Sequence, residues 1–127
     1  MKQIFLDTET TGLAQNNAVI QIAGGIWINK EEKKRFNIQM GPYTQDKSDD
    51  AAMRVHGITK EELDTYQGPL EGYKEFISIL EPFVDRYNKH DKIWMLGFNV
   101  SFDERMLRSF FIKAGDKFFG SWFHWPS

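Results

Sequence analysis

A short apolar run near the start of the chain, residues 4–6, leads directly into two acidic residues, Asp7 and Glu9. A continuous apolar run of this length is typical of a β-strand that is buried on both faces. Residues two apart in a strand point to the same side of a sheet, so both carboxylates should converge at the end of this strand. Two such charges repel each other unless a cation lies between them, and magnesium prefers oxygen ligands of this kind. The pattern therefore predicts a metal site at the end of the strand.

Three further strands are predicted along the chain. Residues 18–29 are rich in Val, Ile and Trp and predict a second strand. Residues 35–40 predict a third strand that pairs with the second, with the lysine-rich residues 30–34 as the hairpin loop. A fourth strand is predicted at residues 93–98, much later in the sequence.

Four helices are predicted between and after these strands. Acidic residues near its start favour a short helix over residues 48–55, and a capping box at Thr59 opens another. A longer helix should run over residues 69–87, with a kink or an early end at Pro82. A second capping box begins the last helix, over residues 101–114, and a glycine ends it. This element order predicts an α/β fold, a mixed sheet flanked by helices.

A third carboxylate, Asp103, lies in the first turn of that last helix, just after the fourth strand. The helix dipole favours the ionised form of an aspartate in this position, which is the form that binds metal. Open α/β sheets commonly build a site from a strand end and a helix start. Taken singly, however, an Asp-x-Glu pair or an aspartate in a first turn more often has only a solvating or helix-stabilising role. A lone histidine such as His56 is likewise more often a surface residue than a ligand.

The composition narrows the function classes. The 127 residues predict one domain, and 41% hydrophobic residues are enough to form a core. A net charge of −2 excludes a generally basic nucleic-acid coat, but not an enzyme that reaches phosphates through bound cations. The absence of cysteine excludes disulfides, thiolate chemistry and cysteine-rich zinc sites. Neither a signal peptide nor a membrane-spanning stretch is visible, so we expect a soluble cytoplasmic protein with no membrane partner.

Three segments together resemble one family. Residues 5–13, Phe-Leu-Asp-Thr-Glu-Thr-Thr-Gly-Leu, residues 55–59, Val-His-Gly-Ile-Thr, and residues 97–103, Gly-Phe-Asn-Val-Ser-Phe-Asp, occur in the order of the motifs of DEDD 3′–5′ exonucleases. This DnaQ-like family includes the proofreading epsilon subunit of bacterial DNA polymerase III. The resemblance implies a ribonuclease-H-like fold, with a five-stranded mixed sheet and helices on both sides. It also implies metal-dependent release of nucleoside monophosphates from nucleic-acid 3′ ends, by phosphodiester hydrolysis with two Mg²⁺ or Mn²⁺ ions.

The resemblance also assigns roles to residues of this chain. Asp7, Glu9 and Asp103 would be the catalytic metal ligands, with Asp7 bridging both ions, Glu9 holding one and Asp103 acting through water. The residues that would bind the 3′-terminal nucleotide are Thr8, Thr10, Gly12, Leu13, His56, Asn99 and Phe102. A single-stranded DNA or RNA end suits such a pocket, because its bases unstack onto apolar side chains. The motifs do not distinguish DNA from RNA.

The sequence departs from the family pattern in three places. Phe98 replaces the usual histidine, and Ala51 stands where relatives often have an acidic residue that contacts the sugar. The last family motif, His-x-x-x-x-Asp or Tyr-x-x-x-Asp, supplies the general base and a fourth metal ligand, and no segment matches it. His124 is the only late histidine, and it follows Asp103 too closely. We therefore expect residues 1–127 to form a single domain without the C-terminal helix, and weak or absent activity.

Two expectations follow from the missing motif. The alternative function is a catalytically dead module that binds a nucleic-acid end or a polymerase. The last ten residues, 118–127, are dense in aromatic side chains and are expected to expose an apolar patch unless a polymerase partner or a second copy covers it.

Overall fold

A computed structural model describes residues 1–124 of the chain. Its elements occur in the predicted order, with a short 3₁₀ helix, Phe119–Ser121, after the last α-helix. The strands and helices are β1 (Lys2–Thr10), β2 (Val19–Ile28), β3 (Glu31–Gln39), α1 (Asp50–His56), α2 (Lys60–Leu63), α3 (Pro69–Leu80), β4 (Trp94–Leu96) and α4 (Val100–Lys113). Within residues 1–124, no helix is long and apolar enough to cross a membrane.

The four strands form one mixed sheet in the order β3-β2-β1-β4. Strand β1 pairs with β2 antiparallel and with β4 parallel, so it is a central strand. The predicted mixed sheet is therefore confirmed, with four strands among the described residues instead of five. Beyond β4, Phe123 makes an isolated parallel bridge to Ile93.

The β2–β3 hairpin is tighter than predicted. Asn29 and Lys30 both have positive φ, 50° and 70°, which is the backbone of a two-residue hairpin turn. The lysine-rich residues 31–34 therefore belong to β3, and the predicted five-residue loop is wrong. Most of these charged side chains are exposed, as expected for a strand at the edge of a sheet.

Local signals explain most helix boundaries. The Thr59 hydroxyl accepts a hydrogen bond from the Glu62 amide at 3.1 Å, which confirms the predicted capping box. Helix α3 ends at Leu80, before Pro82, so the early end is also confirmed. The second capping box is wrong, because α4 already begins at Val100 and has no side-chain cap.

The core lies between α3, α4 and one side of the sheet. Ile4 and Leu6 of β1 are buried there, together with Phe76 of α3 and Phe111 of α4. The aromatic tail completes this core, since Phe119, Trp122 and Phe123 are almost fully buried. The expectation that the tail exposes an apolar patch is therefore wrong for these three side chains, and residues 125–127 lie outside the described part of the chain.

The other side of the sheet remains open around β1. Phe5 is 47% exposed, and Phe98 is fully exposed. A cavity of about 530 Å³ on this side is lined by apolar residues, among them Phe5, Leu96 and Phe98, with Asp7 at its margin. The prediction that β1 is buried on both faces is therefore wrong within residues 1–124, because α3 and α4 cover only one face.

Candidate active site at the end of the central strand

Two acidic side chains lie on the open side of β1 near its C-terminal end. Asp7 is exposed and Glu9 is partly buried, whereas Thr8 and Thr10 between and after them are buried on the other side. Strand β4 pairs with β1 only as far as Phe5, so both carboxylates lie beyond the end of β4. The same-side placement predicted from the strand period is what the structure shows.

Asp103 approaches the same strand from the first turn of α4. Its side chain is only 5% exposed, and its Oδ1 accepts a hydrogen bond of 2.6 Å from the Thr8 hydroxyl. The turn before α4 runs close to β1, because a Cβ at Gly97 would lie 2.7 Å from the Leu6 carbonyl oxygen and 3.3 Å from Asp103 Oδ2. A glycine at position 97 therefore lets the helix start come close to the strand end.

The carboxylates influence one another's ionisation. Burial raises the pKa of Glu9 above its usual value, the charge of Asp7 adds to this, His56 opposes it, and Asp103 adds a smaller increase. Burial also raises the pKa of Asp103, the Thr8 hydroxyl lowers it, and Asp7 raises it further. The site thus concentrates negative charge that a cation would relieve.

The carboxylate oxygens of the site suit a hard divalent cation, although they do not supply all the ligands of a metal ion. Within residues 1–124, no group of three or more His, Asp or Glu side chains is placed to hold a metal ion together. Asp7 and Glu9 nevertheless offer two carboxylates on one side of one strand, and magnesium often uses only one or two carboxylates with substrate phosphate and water. The residues therefore fit Mg²⁺ or Mn²⁺ bound together with a phosphate, and the individual ligand roles stay predictions.

The turn after β1 is tightly built. The Thr10 hydroxyl donates to the Gly12 carbonyl oxygen at 2.7 Å. A Cβ at Gly12 would collide with the Asp49 carboxylate and lie 2.5 Å from Asn17 Oδ1, so a larger residue there would require both side chains to move. Next to it, Leu13 is 74% exposed and presents an apolar surface. Because the Thr8 and Thr10 side chains are buried, the predicted contacts of this turn with a nucleotide would involve Leu13 and the backbone.

His56 is held by hydrogen bonds through both ring nitrogens. Nδ1 accepts the Ile58 amide hydrogen at 3.1 Å, so Nε2 carries the proton and donates to the Thr10 carbonyl oxygen at 3.1 Å. The ring thereby ties the end of α1 to the end of β1. Its predicted contact with the nucleotide would have to come from the face of the ring.

The remaining predicted contact residues flank the start of α4. Asn99 is exposed at the N-cap position, and Phe102 is partly buried in the first turn. The Arg105 guanidinium lies 5.5 Å from the centre of the Phe102 ring. Sequence reasoning did not single out Arg105. Its spacing of three residues from Phe102 on a helix could have indicated this contact, because such a spacing brings two side chains together.

His124, the only histidine after Asp103, lies away from the three carboxylates. The His124 amide donates to the Ile93 carbonyl oxygen, and its ring stacks on Trp94 at 4.1 Å. These residues mark the start of β4, whereas the carboxylates lie beyond its other end. His124 therefore does not join Asp7, Glu9 and Asp103.

Asn17 is a site-supporting residue that sequence reasoning missed. Its buried side chain donates to the Lys47 carbonyl oxygen at 2.8 Å and accepts the Ala14 amide hydrogen at 2.9 Å. It thus fixes the loop behind Gly12. The only sequence signal was the general tendency of asparagine to bond local backbone in turns, which could not have revealed the distant partner.

A family model described as an exonuclease, RNase T, matches residues 4–114. The chain belongs to the RNase T exonuclease family. This assignment and the structural comparisons confirm the resemblance to DEDD exonucleases at the level of the superfamily. A comparison with curated proteins gives no match.

Solved structures of exonuclease I resemble this member of the RNase T family in fold. The zinc-bound Escherichia coli enzyme with single-stranded DNA has a TM-score of 0.77 and 18% identity over 98% of this chain and 26% of that chain. Its complex with a dT13 oligonucleotide gives the same values. A product-bound exonuclease I has a TM-score of 0.76 and 18% identity over 98% of this chain and 28% of that chain. The chain thus spans about a quarter of these proteins, and the predicted ribonuclease-H-like fold is confirmed.

Proposed function

We propose that this chain is a metal-dependent 3′–5′ exonuclease domain that releases nucleoside monophosphates from single-stranded nucleic-acid ends. The observation that carries the proposal is the placement of Asp7 and Glu9 on one side of the central strand, with Asp103 beside them at the start of α4. Membership of the exonuclease family supports a nuclease activity. The structural neighbours contain single-stranded DNA, which supports a nucleic-acid substrate.

In this proposal each residue of the site has its own role. Asp7 and Glu9 would hold the divalent cations, of which two are expected with substrate bound, and Asp103 would act on the second one through water. Bound Mg²⁺ or Mn²⁺ supplies activation of water and stabilisation of the leaving oxygen. Leu13 and the face of His56 provide apolar surface for an unstacked terminal base. A cytoplasmic location is a further part of the proposal, and the motifs do not distinguish a proofreading role like that of the epsilon subunit from a stand-alone one.

The test is a time course on a 5′-labelled single-stranded oligonucleotide with Mg²⁺ or Mn²⁺. We expect a ladder that shortens from the 3′ end and that is lost in Asp7→Ala, because this variant lacks a carboxylate that would hold the cations. Asp64→Ala is the matched control, since it removes an exposed aspartate of the α2 end, outside the site. Parallel DNA and RNA substrates identify the preferred sugar.

Cleavage that persists in Asp7→Ala contradicts the assignment of the site. Cleavage that is lost equally in Asp64→Ala shows that the loss has another cause. Products that shorten from the 5′ end would contradict the proposed direction.

A second candidate function is a catalytically dead module that binds a nucleic-acid end or a polymerase. It is favoured by the lack, in the described part of the chain, of three metal-binding side chains in one group, and by the position of His124 at the far end of β4. It predicts that fluorescence anisotropy detects oligonucleotide binding without turnover, and cleavage by pure protein would rule it out.

Self-association of the chain is a further proposal. Light scattering on pure protein measures it.

A further inference from the structure

Thr8 lies between the two acidic residues of β1, but its side chain points the other way. It is only 7% exposed, and its hydroxyl donates to Asp103 Oδ1 at 2.6 Å. The two residues are 95 positions apart in the sequence. This bond therefore joins the central strand to the start of α4 directly behind the open side of the site.

The buried Asp103 carboxylate requires a hydrogen-bond partner. An ionised carboxylate that is 5% exposed is costly unless it is hydrogen-bonded. Among the side-chain hydrogen bonds of residues 1–124, the Thr8 bond is the one that the Asp103 carboxylate receives from another side chain. Because the Thr8 backbone also hydrogen-bonds this carboxylate, losing the hydroxyl would weaken, but not abolish, the support that holds the Asp103 side chain in one position.

We propose that Thr8 is the positioning residue for Asp103. By holding Oδ1, it fixes the orientation of the whole Asp103 carboxylate relative to Asp7, the preceding residue of the same strand. Three consecutive residues of β1 thus place all three carboxylates, two through their own side chains and the third through Thr8. The inference rests on the proposed function, and it adds a residue for which substrate contact alone had been predicted.

The chain offers a closely matched control. The Tyr73 hydroxyl also donates to a buried aspartate, Asp116 Oδ2, at 2.6 Å. This pair joins α3 to the segment after α4 and is outside the site. Thr8→Val and Tyr73→Phe therefore remove the same kind of bond with little change of shape, one inside the site and one outside it.

The experiment compares wild type, Thr8→Val, Thr8→Ser and Tyr73→Phe by two readouts. The first is kcat and KM for mononucleotide release, and the second is Mn²⁺ affinity, measured by electron paramagnetic resonance with a nucleoside 5′-monophosphate present. Removing a partner that orients a metal-site ligand typically costs about 10–100-fold, so we expect Thr8→Val to lose roughly that factor in kcat or Mn²⁺ affinity with little change in KM. Thr8→Ser should restore both, and Tyr73→Phe should keep both while its melting temperature falls.

Each outcome decides the inference. Equal effects of Thr8→Val and Tyr73→Phe, or a Thr8→Ser protein as impaired as Thr8→Val, overturn it, because the hydroxyl is then not the cause. If wild type releases no nucleotide, the proposed function fails, and Mn²⁺ affinity alone decides whether Thr8 positions Asp103. A wild type that binds no Mn²⁺ under these conditions overturns the inference too. Thr8→Ala replaces Thr8→Val if the valine protein does not fold.

Discussion

Glu9 occupies a place where its own charge is unfavourable. Burial and the neighbouring charge of Asp7 raise its pKa above the usual 4.5. A carboxyl group whose folded pKa is raised destabilises the fold when ionised, and this cost is complete above the folded pKa and absent below the unfolded one. Ionised Glu9 therefore lowers the stability of the metal-free protein at neutral pH, and a bound cation would offset this cost.

From this we predict that Glu9→Gln raises the melting temperature of the metal-free protein at neutral pH. The gain should shrink as the pH falls through the folded pKa and disappear well below 4.5, the usual glutamate value, where the glutamate is protonated in both states. Thermal unfolding followed by circular dichroism in the presence of a chelator measures this. Glu81→Gln, at an exposed position after α3, is the control and should show no such gain. A Glu9→Gln protein that is less stable than wild type at neutral pH would contradict the prediction.

The sequence predicted residue positions well where they depend on local periodicity. The alternation of a strand was enough to place Asp7 and Glu9 on one side, and the helix start was enough to place Asp103 in a first turn. The bond between Thr8 and Asp103 was out of reach, because it joins residues 95 positions apart. The same holds for the Nε2 bond of His56 to the Thr10 carbonyl oxygen.

At the scale of elements, the β1–β2 pair depends on a glycine. Gly24 lies opposite Leu6 in the ladder, and a Cβ there would overlap the carbonyl oxygen of Phe5. We predict that Gly24→Ala destabilises the protein by about 1–3 kcal/mol, because the two strands must move apart. Urea unfolding measures this loss.

Gly120→Ala is the control for that change. No atom lies within 4 Å of a Cβ at Gly120, so its stability should stay close to that of wild type. Equal stability of both variants would mean that β1 and β2 tolerate a side chain at position 24.

The errors at this scale have physical reasons. The hairpin turn uses Asn29 and Lys30 with positive φ, a backbone that the lysine-rich sequence did not indicate. The apolar run at residues 4–6 suggested burial on both faces, but a three-residue run cannot reveal whether a second layer covers a strand. The types of the strands and helices, helix or strand, were confirmed, although the second capping box was not.

Across the whole molecule, a buried ionic cluster fastens the tail to the helical layer. Arg86 donates to both Asp116 oxygens at 2.9 and 3.1 Å and to Ser121 Oγ at 2.9 Å, and its guanidinium lies 4.7 Å from the Trp122 ring centre. Burial and the bond to Asp116 raise the pKa of Tyr73 to about 12, so its hydroxyl stays a donor at neutral pH. The contacts of Arg86 thus hold the segment after α4 against the rest of the protein, where Trp122 is buried.

We predict that Asp116→Asn lowers the free energy of unfolding by roughly 3 kcal/mol at neutral pH, because Arg86 loses its buried partner. Although burial alone would raise the pKa of Asp116, its hydrogen bonds to Arg86 and Tyr73 hold it below the usual 3.8. A depressed pKa contributes stability above 3.8 that is lost as pH falls through the folded pKa. Urea unfolding as a function of pH should therefore show the two proteins converging in acid.

Asp64→Asn, at an exposed position, is the control and should match wild type throughout. A deficit of Asp116→Asn that persists unchanged at low pH would show that packing, and not the ion pair, accounts for the loss.

The pairing of β1 with β4 has a consequence for the order in which the molecule assembles. Strands β1 to β3 are consecutive and joined by short connections, whereas β4 and α4 come from the far part of the chain. Local hairpins close quickly, and pairings between distant segments must first overcome the entropy of a long loop. During synthesis, Asp7 and Glu9 would thus lie on a formed hairpin before Asp103 is added to the chain, and the third carboxylate would join the candidate site only after α4 has been made.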